Sequence, residues 1–306
     1  MQNVKHIVIT GASGFIGKHL MADLQKTDYR VTVISRTPEK VKHLISLKVK
    51  VVEANLHDRE SLIHAFKGAD VVVNLAAELY NLEVIKDTNV KGTEHLIEAM
   101  KANQVPHLIH LSSVGVVGKQ YSLSQVSVDE HTPCAPKNAY EETKLQSEQL
   151  LLKAEKEKAF HLCILRPTNV FGEDHPKKAL YSLYSQLKEK GIFLSSANAM
   201  ANYVYVKDVS AAIMHFIDHP EQIGIYNVGE SVPMKTFISF FQKLLPKRIK
   251  HVVLPDLVFR LLNLSGKSKV KALSNAVMYD DGKLKKVFNY PYGVEQGMVR
   301  TMRRSD

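Results

Sequence analysis

The stretch VITGASGFIG, Val8–Gly17, carries an apolar segment into three glycines and out again into a second apolar pattern. A glycine turn proves little alone, because any tight connection favours glycine where φ is positive or where backbones crowd. Here Gly11, Gly14 and Gly17 follow the β-branched run VKHIVIT and precede FIGKHLMADLQK, whose Phe15, Ile16, Leu20 and Leu24 recur at helical spacing. A strand, a glycine turn and a helix in that order offer a pyrophosphate backbone N–H groups and the positive end of a helix dipole. Dinucleotide binding is the reading this context favours.

Outward from that unit, RVTVIS, KVKVVEA, DVVVNLAA, HLIHLSS and HLCILRP alternate with segments of helical period, a βαβ series. Their near-continuous Val, Ile and Leu predict burial on both faces, as in a parallel sheet flanked by helices. The fold class is therefore α/β, a doubly wound parallel sheet with its ligand beyond the carboxyl ends of the strands. After Gly172 the alternation loosens, and ALYSLYSQLKEKG and MKTFISFFQKLL read as helices of a smaller, mainly helical lobe. The expected division is a dinucleotide-binding domain over 1–172 and a substrate lobe over 173–306, interleaved with late sheet elements near 202–228.

Composition fits this reading. A chain of 306 residues with 45% hydrophobic content buries a full core. No apolar run reaches the roughly 18 residues of a spanning helix, and the N-terminus reads directly into the first strand, so no membrane span and a cytoplasmic location are expected. Cys134 and Cys163 have neither metal-ligand nor CxxC spacing, which argues against a disulfide or a metal site. Of the formal charge of +10, residues 243–306 hold +9, from 14 Lys and Arg against 5 Asp and Glu. A basic region of this kind attracts an anionic substrate or simply forms a solvated face. It lacks the interleaved aromatics of a nucleic-acid binder, and none is expected.

The second decisive stretch is YEETK, Tyr140–Lys144. Residues four apart share a helix face, so phenol and ammonium can point into one cleft. A tyrosine with an ordinary pKa near ~10 needs a downward shift of up to ~3 units, about 4 kcal/mol, to exchange protons at neutral pH. A lysine charge supplies part of that shift and a cationic nicotinamide ring more. Chance also places Tyr and Lys at this spacing, so the order of parts matters. LSSVGVVG, Leu111–Gly118, puts Ser112 and Ser113 at the carboxyl end of a predicted strand, where a hydroxyl can bond the oxygen that Tyr140 protonates. No histidine and acid stand ready to activate a serine nucleophile, and His110 reads as a packed core histidine.

These motifs together resemble the extended short-chain dehydrogenase/reductases, the NAD-dependent epimerase/dehydratase family, over nearly the whole chain. TGASGFIG is similar to its TGxxGxxG loop and NLHD, Asn55–Asp58, to its adenine-contacting DLxD with Asn55 for Asp. NLAA (Asn74–Ala77), NVKGT (Asn89–Thr93), LSSVGVVG, YEETK, LRPTNVFG (Leu165–Gly172), NYVYVKDV (Asn202–Val209) and YNVGE (Tyr226–Glu230) follow in the family's order. The resemblance implies a Rossmann fold with Tyr140 as acid/base, Lys144 on the nicotinamide ribose and lowering the tyrosine pKa, and Ser113, rather than Ser112, orienting the substrate oxygen. It places the dinucleotide against Gly11, Ser13, Gly14, Phe15, Ile16, Gly17, Ser35, Arg36, Asn55, Leu56, Leu75, Ala76, Ala77, Asn89, Tyr140, Lys144 and Pro167. Asn169 falls where nucleotide-sugar enzymes touch a substrate phosphate.

Departures from the family pattern narrow the reaction. NAD-selective members end the second strand on an acid that would repel a 2′-phosphate. Ser35 and Arg36 stand there instead, and hydroxyl plus guanidinium favour NADP(H), with NAD(H) the alternative. Val114, Gly115 and Val116 replace the acidic pair of the sugar dehydratases, which argues against dehydration. Ala201 replaces an arginine that pairs with a sugar-nucleotide diphosphate. The expectation is an NADP-dependent oxidoreductase of a small-molecule carbonyl or secondary alcohol. The alternatives are a nucleotide-sugar epimerase using the same Ser–Tyr–Lys site and a dinucleotide binder without turnover. No metal is expected. Helical patterns over Leu82–Met100 and Tyr140–Lys158 suit a homodimer interface, but such helices also have to cover the sheet.

Overall fold

The computed structural model describes residues 4–118, 121–175, 179–263 and 268–303. In chain order the strands are β1 (His6–Thr10), β2 (Arg30–Ser35), β3 (Val49–Glu53), β4 (Val71–Asn74), β5 (His107–Leu111), β6 (Val126–Val128), β7 (His161–Pro167), β8 (Asn169–Phe171), β9 (Ile192–Ser196), β10 (Met200–Tyr205), β11 (Gly224–Val228), β12 (Glu230–Pro233), β13 (Lys250–Leu254) and β14 (Val277–Tyr279). The helices that bear on the site are α1 (Phe15–Leu24), α2 (Arg59–Ala65), α3 (Gly92–Asn103) and α4 (Ala139–Lys156).

The chain forms two compact units. The first takes residues up to Gly118, then Pro133–Pro167 and Val209–Tyr226. It is built on a seven-stranded sheet of order β11-β7-β5-β4-β1-β2-β3, with β1 to β5 and β7 paired in parallel. The order reverses between β1 and β4, the switch point at which doubly wound sheets open a crevice. All of β1 and β4 is buried, as their unbroken apolar runs predict. One sheet face carries Val8, Val72, Leu108 and Leu162 against Leu62 of α2, Leu96 and Met100 of α3, and Leu151 of α4, a single core cluster.

Two residues further along each strand, that apolar face turns polar. Thr10 is in register with Asn74, and Asn74 with His110. Because strand side chains alternate, these three lie on the same face as Val8, Val72 and Leu108, at its carboxyl end.

Local signals fix the flanking helices. The Asn138 side chain accepts from Glu141 N at 3.0 Å and starts α4, and Asp58 accepts from Glu60 N and Ser61 N to start α2. A wide π turn, Asp87–Lys91, leads into α3. The second unit comprises Lys119–Thr132, Thr168–Asp208 and residues from Asn227 onward. Its helices are accompanied by three small sheets, β12-β10-β8, β13-β9 and β14-β6. There the buried Asp208 carboxylate accepts from Tyr292 N and Gly293 N at 3.0 and 2.9 Å.

Candidate active site

In the first unit, the residues singled out in the sequence gather at the carboxyl edge of the sheet. Gly11, Ser13 and Gly14 form the turn after β1, and Phe15, Ile16 and Gly17 the first turn of α1. Ser35 ends β2 with Arg36 beyond it, Asn55 and Leu56 follow β3, Leu75, Ala76 and Ala77 follow β4, Ser113 follows β5, and Pro167 ends β7.

The glycine turn fits a dinucleotide. Gly11 has φ +73°, and a Cβ on it would stand 2.7 Å from Ala76 N. A Cβ on Gly17 would strike the Gly11 carbonyl oxygen and come within 2.7 Å of Ala12 Cα. These glycines press β1, the turn and α1 together, so that backbone rather than side chains forms the wall. No side chain caps α1 and no acid stands in its first turn, which leaves that helix end suited to an anion.

Other predicted contacts are already engaged within the protein. Ser35 Oγ accepts from Thr37 N at 3.1 Å, and Asn55 Oδ1 from His57 N at 3.1 Å. Leu56 is buried in the core cluster, where a Cβ on Gly92 would meet its own Cβ at 2.9 Å. Asn89, buried in the π turn, accepts from Glu78 N at 2.8 Å and donates to Glu78 O at 2.9 Å and to Thr143 Oγ at 3.0 Å. Ser147 Oγ bonds Asn89 O at 2.6 Å. Asn89 thus braces the segment after β4 against α4. Asn169 lies in the second unit and donates to Asn202 O at 2.9 Å.

Ser113, half-buried, accepts from Gly115 N at 3.0 Å at the start of a short 3₁₀ turn, Val114–Val117. Ser112 is buried, its N–H donating to Leu165 O at 2.7 Å. A Cβ on Gly115 would meet Glu141 Cγ at 3.0 Å and Ser113 Oγ at 3.2 Å, so the glycine lets the buried Glu141 approach the serine turn.

On α4 the Lys144 side chain is 2% exposed, with Nζ 3.0 Å from His110 Nε2. Burial lowers its pKa to about 8, and Glu148 one turn on partly offsets this. Tyr140 moves the other way from the shift that neutral-pH proton exchange requires. Burial, with the phenol of Tyr80 and the carboxylate of Glu141 adding to it, pushes it up to about 12. The protein's own groups therefore hold Tyr140 protonated. Beneath them Glu148 and Arg166 form a two-point ion pair, Nε to Oε1 at 3.0 Å and Nη2 to Oε2 at 2.5 Å, both side chains almost wholly buried. Among the described residues no cluster of His, Cys, Asp or Glu is placed to hold a metal, and both cysteines are free thiols.

The family model for the NAD dependent epimerase/dehydratase family matches residues 7–229, from β1 through β11. The chain belongs to that family. This epimerase/dehydratase family protein is 27% identical to a Dictyostelium discoideum sterol-4-alpha-carboxylate 3-dehydrogenase, decarboxylating, over 86% of this chain and 87% of that one. It is also 27% identical to the N-acetyl-alpha-D-glucosaminyl-diphospho-ditrans,octacis-undecaprenol 4-epimerase of Escherichia coli O157:H7, over 97% and 94%. The solved structure of the Bordetella bronchiseptica enzyme WbmG in complex with NAD shares its fold, with TM-score 0.76 at 18% identity over 99% of this chain and 94% of that one. No helix among the described residues is long and apolar enough to cross a membrane.

Thr10, Asn74 and Glu141 lie inside motifs read in the sequence but are given no role of their own there, and Glu78 and Glu148 are not singled out; all five are functional candidates here. The available signals were a Thr or Asn ending an otherwise apolar strand and an acid beside the YxxxK tyrosine.

Burial also makes this unit sensitive to acid. It holds the imidazoles of His110, His107 and His6 below the ordinary value of 6.5. Such groups protonate first in the unfolded chain, so their contribution is complete above that value and is lost as pH falls, at about 1.4 kcal/mol per unit for each fully neutral group. Asp208, in the second unit and pushed up to about 6, acts in the opposite sense as pH falls through that value, and at about pH 6, where it is only half protonated, it offsets a small part of the histidine effect. Urea unfolding should therefore show a lower midpoint at about pH 6 than at about pH 7.5. An unchanged or higher midpoint would contradict neutral burial of these histidines.

Proposed function

We propose that the protein is an NAD(P)-dependent oxidoreductase acting at a secondary alcohol or carbonyl carbon, with Ser113, Tyr140 and Lys144 as its working groups. The observation that carries this is the enclosed Lys144 amine one helical turn from Tyr140, with Ser113 at the end of the neighbouring strand β5. The dinucleotide, when bound, supplies or accepts the hydride. Tyr140 O–H gives its proton to the substrate oxygen in reduction and recovers it in oxidation, Ser113 Oγ–H steadies that oxygen, and Lys144 holds the ribose.

The net direction proposed is reduction with NADPH. Ala201, buried in β10, provides no charge for a sugar-nucleotide diphosphate. Arg36 supports the phosphorylated cofactor. It is exposed beyond β2, and Glu78 after β4, whose carboxyl is held low chiefly by the N–H groups of Tyr80 and Asn81, feels the Arg36 charge as a minor addition. The Arg36→Asp variant should lose about 1.5 to 3 kcal/mol of NADP binding, the worth of a hydrogen bond to a charged group, and bind NAD equally or better. Equal weakening for both dinucleotides in fluorescence titrations would assign Arg36 to the adenine or the fold.

Epimerisation is the second reading, favoured by the undecaprenol-linked 4-epimerase that matches almost end to end. An epimerase returns the hydride to the same substrate, so it profits from retaining its dinucleotide, whereas a reductase exchanges it every cycle. Mass spectrometry of molecules released from purified protein, with a carbonyl panel assayed at the nicotinamide absorbance, separates the two. The expected result is little bound dinucleotide and consumption of NADPH stoichiometric with a ketone or aldehyde. Near-stoichiometric NAD, with interconversion of sugar epimers and no net oxidation, would establish the epimerase instead.

A further inference from the structure

We propose that His110 is a positioning residue for Lys144, part of a buried row with Thr10 and Asn74 that grips the lysine amine in both of its charge states by reversing the direction of its hydrogen bonds.

The row crosses three adjacent parallel strands in register, at the end of the sheet face described above. Thr10 Oγ donates to Asn74 Oδ1 at 2.6 Å, Asn74 Nδ2 lies 3.1 Å from His110 Nδ1, and His110 Nε2 lies 3.0 Å from Lys144 Nζ. Thr10 Oγ also accepts from Ala76 N at 3.2 Å, which ties the row to the backbone beside Gly11. All four side chains are buried. With the Asn74 amide donating, Nδ1 accepts and Nε2 bears the ring hydrogen, which Lys144 can accept only as a neutral amine. An ammonium has no lone pair, so in that state Nε2 must accept from it. The ring hydrogen then sits on Nδ1, and the amide turns over so that Oδ1 accepts from the ring and Nδ2 donates to Thr10 Oγ. One proton is gained from solvent at Lys144, and the imidazole remains neutral throughout. Among the described residues the charged groups bearing on the pair are Glu148, itself held by Arg166, which acts on Lys144, and Lys144 itself, which acts on His110. The lysine can therefore change charge without leaving its place, and its use of that freedom in catalysis rests on the function proposed above.

The test is a pH titration of the full chain labelled with ¹⁵N-histidine, since bare and protonated ring nitrogens have widely separated shifts. His110 should remain neutral and exchange its hydrogen from Nδ1 at low pH to Nε2 at high pH, with the midpoint of Lys144, about 8, rather than of an imidazole. In Lys144→Met the exchange should vanish. A wild-type His110 that becomes an imidazolium near 6.5, or that keeps one tautomer throughout, would overturn the proposal whether or not that variant folds. A positive titration beside a fully active Tyr140→Phe protein would leave the hydrogen-bond row standing and reject only the catalytic reading.

Discussion

Replacing Tyr140 with phenylalanine should lower turnover by about 10²-fold or more while dinucleotide affinity changes only a few-fold. The ring remains to fill its half-buried position at the start of α4, and Asn138 still caps the helix, so the loss is confined to the phenolic proton. The protein's own groups push that phenol up to about 12, so the proton is present at neutral pH, and a cationic nicotinamide bound beside it would draw that value back down. Steady-state rates with the substrate found in the carbonyl panel, set beside dinucleotide titrations, make the comparison. Near-normal turnover would remove Tyr140 from the mechanism. Equal loss of binding and turnover would point to a damaged fold.

The second large effect is on stability. Glu148→Ala should destabilise the protein by about 3 to 5 kcal/mol, because the Arg166 guanidinium would be left buried without its counter-charge. The pair is enclosed between α4 and β7, with Nη2 also 3.7 Å from Cys134 Sγ, and solvent cannot replace the carboxylate. Removing both charges at once, Glu148→Leu with Arg166→Met, should cost much less than the single change, since apolar groups of similar volume have no solvation to recover. Urea unfolding of the three proteins tests this. A double variant no more stable than Glu148→Ala would mean that the packing, rather than the ion pair, governs this part of the core.

The sequence was most legible where chemistry is local. Gly11, Gly14 and Gly17 act within one strand, one turn and one helix, and Tyr140 with Lys144 needs only the pitch of α4. The alternating apolar segments likewise disclosed the parallel sheet, because each is buried on both faces whatever its neighbours are. What escaped depends on which strands lie side by side. Asn74 and His110 meet only because β4 and β5 pair in a particular register, and Glu148 finds Arg166 only because α4 folds back on β7. His110 looked like a core residue and is one, but its neighbour is the lysine amine. The pKa of Tyr140 could not be read from YEETK either, because its largest causes, burial and then the phenol of Tyr80, lie outside that motif, and only Glu141 lies within it.

The position of β11 has a consequence for how the protein must be made. This strand closes the β7 side of the sheet, yet in the chain Thr168–Ile223 come between the two. A ribosome therefore releases β7, with its buried run of Leu162, Cys163, Ile164 and Leu165, well before the strand that will cover its open edge. Unpaired apolar edges recruit other chains, so nascent protein stalled in that interval is the form most exposed to aggregation. A shortened version ending at Gly172 would hold that state permanently, whereas one ending beyond Val228 would carry the strand needed to seal the sheet.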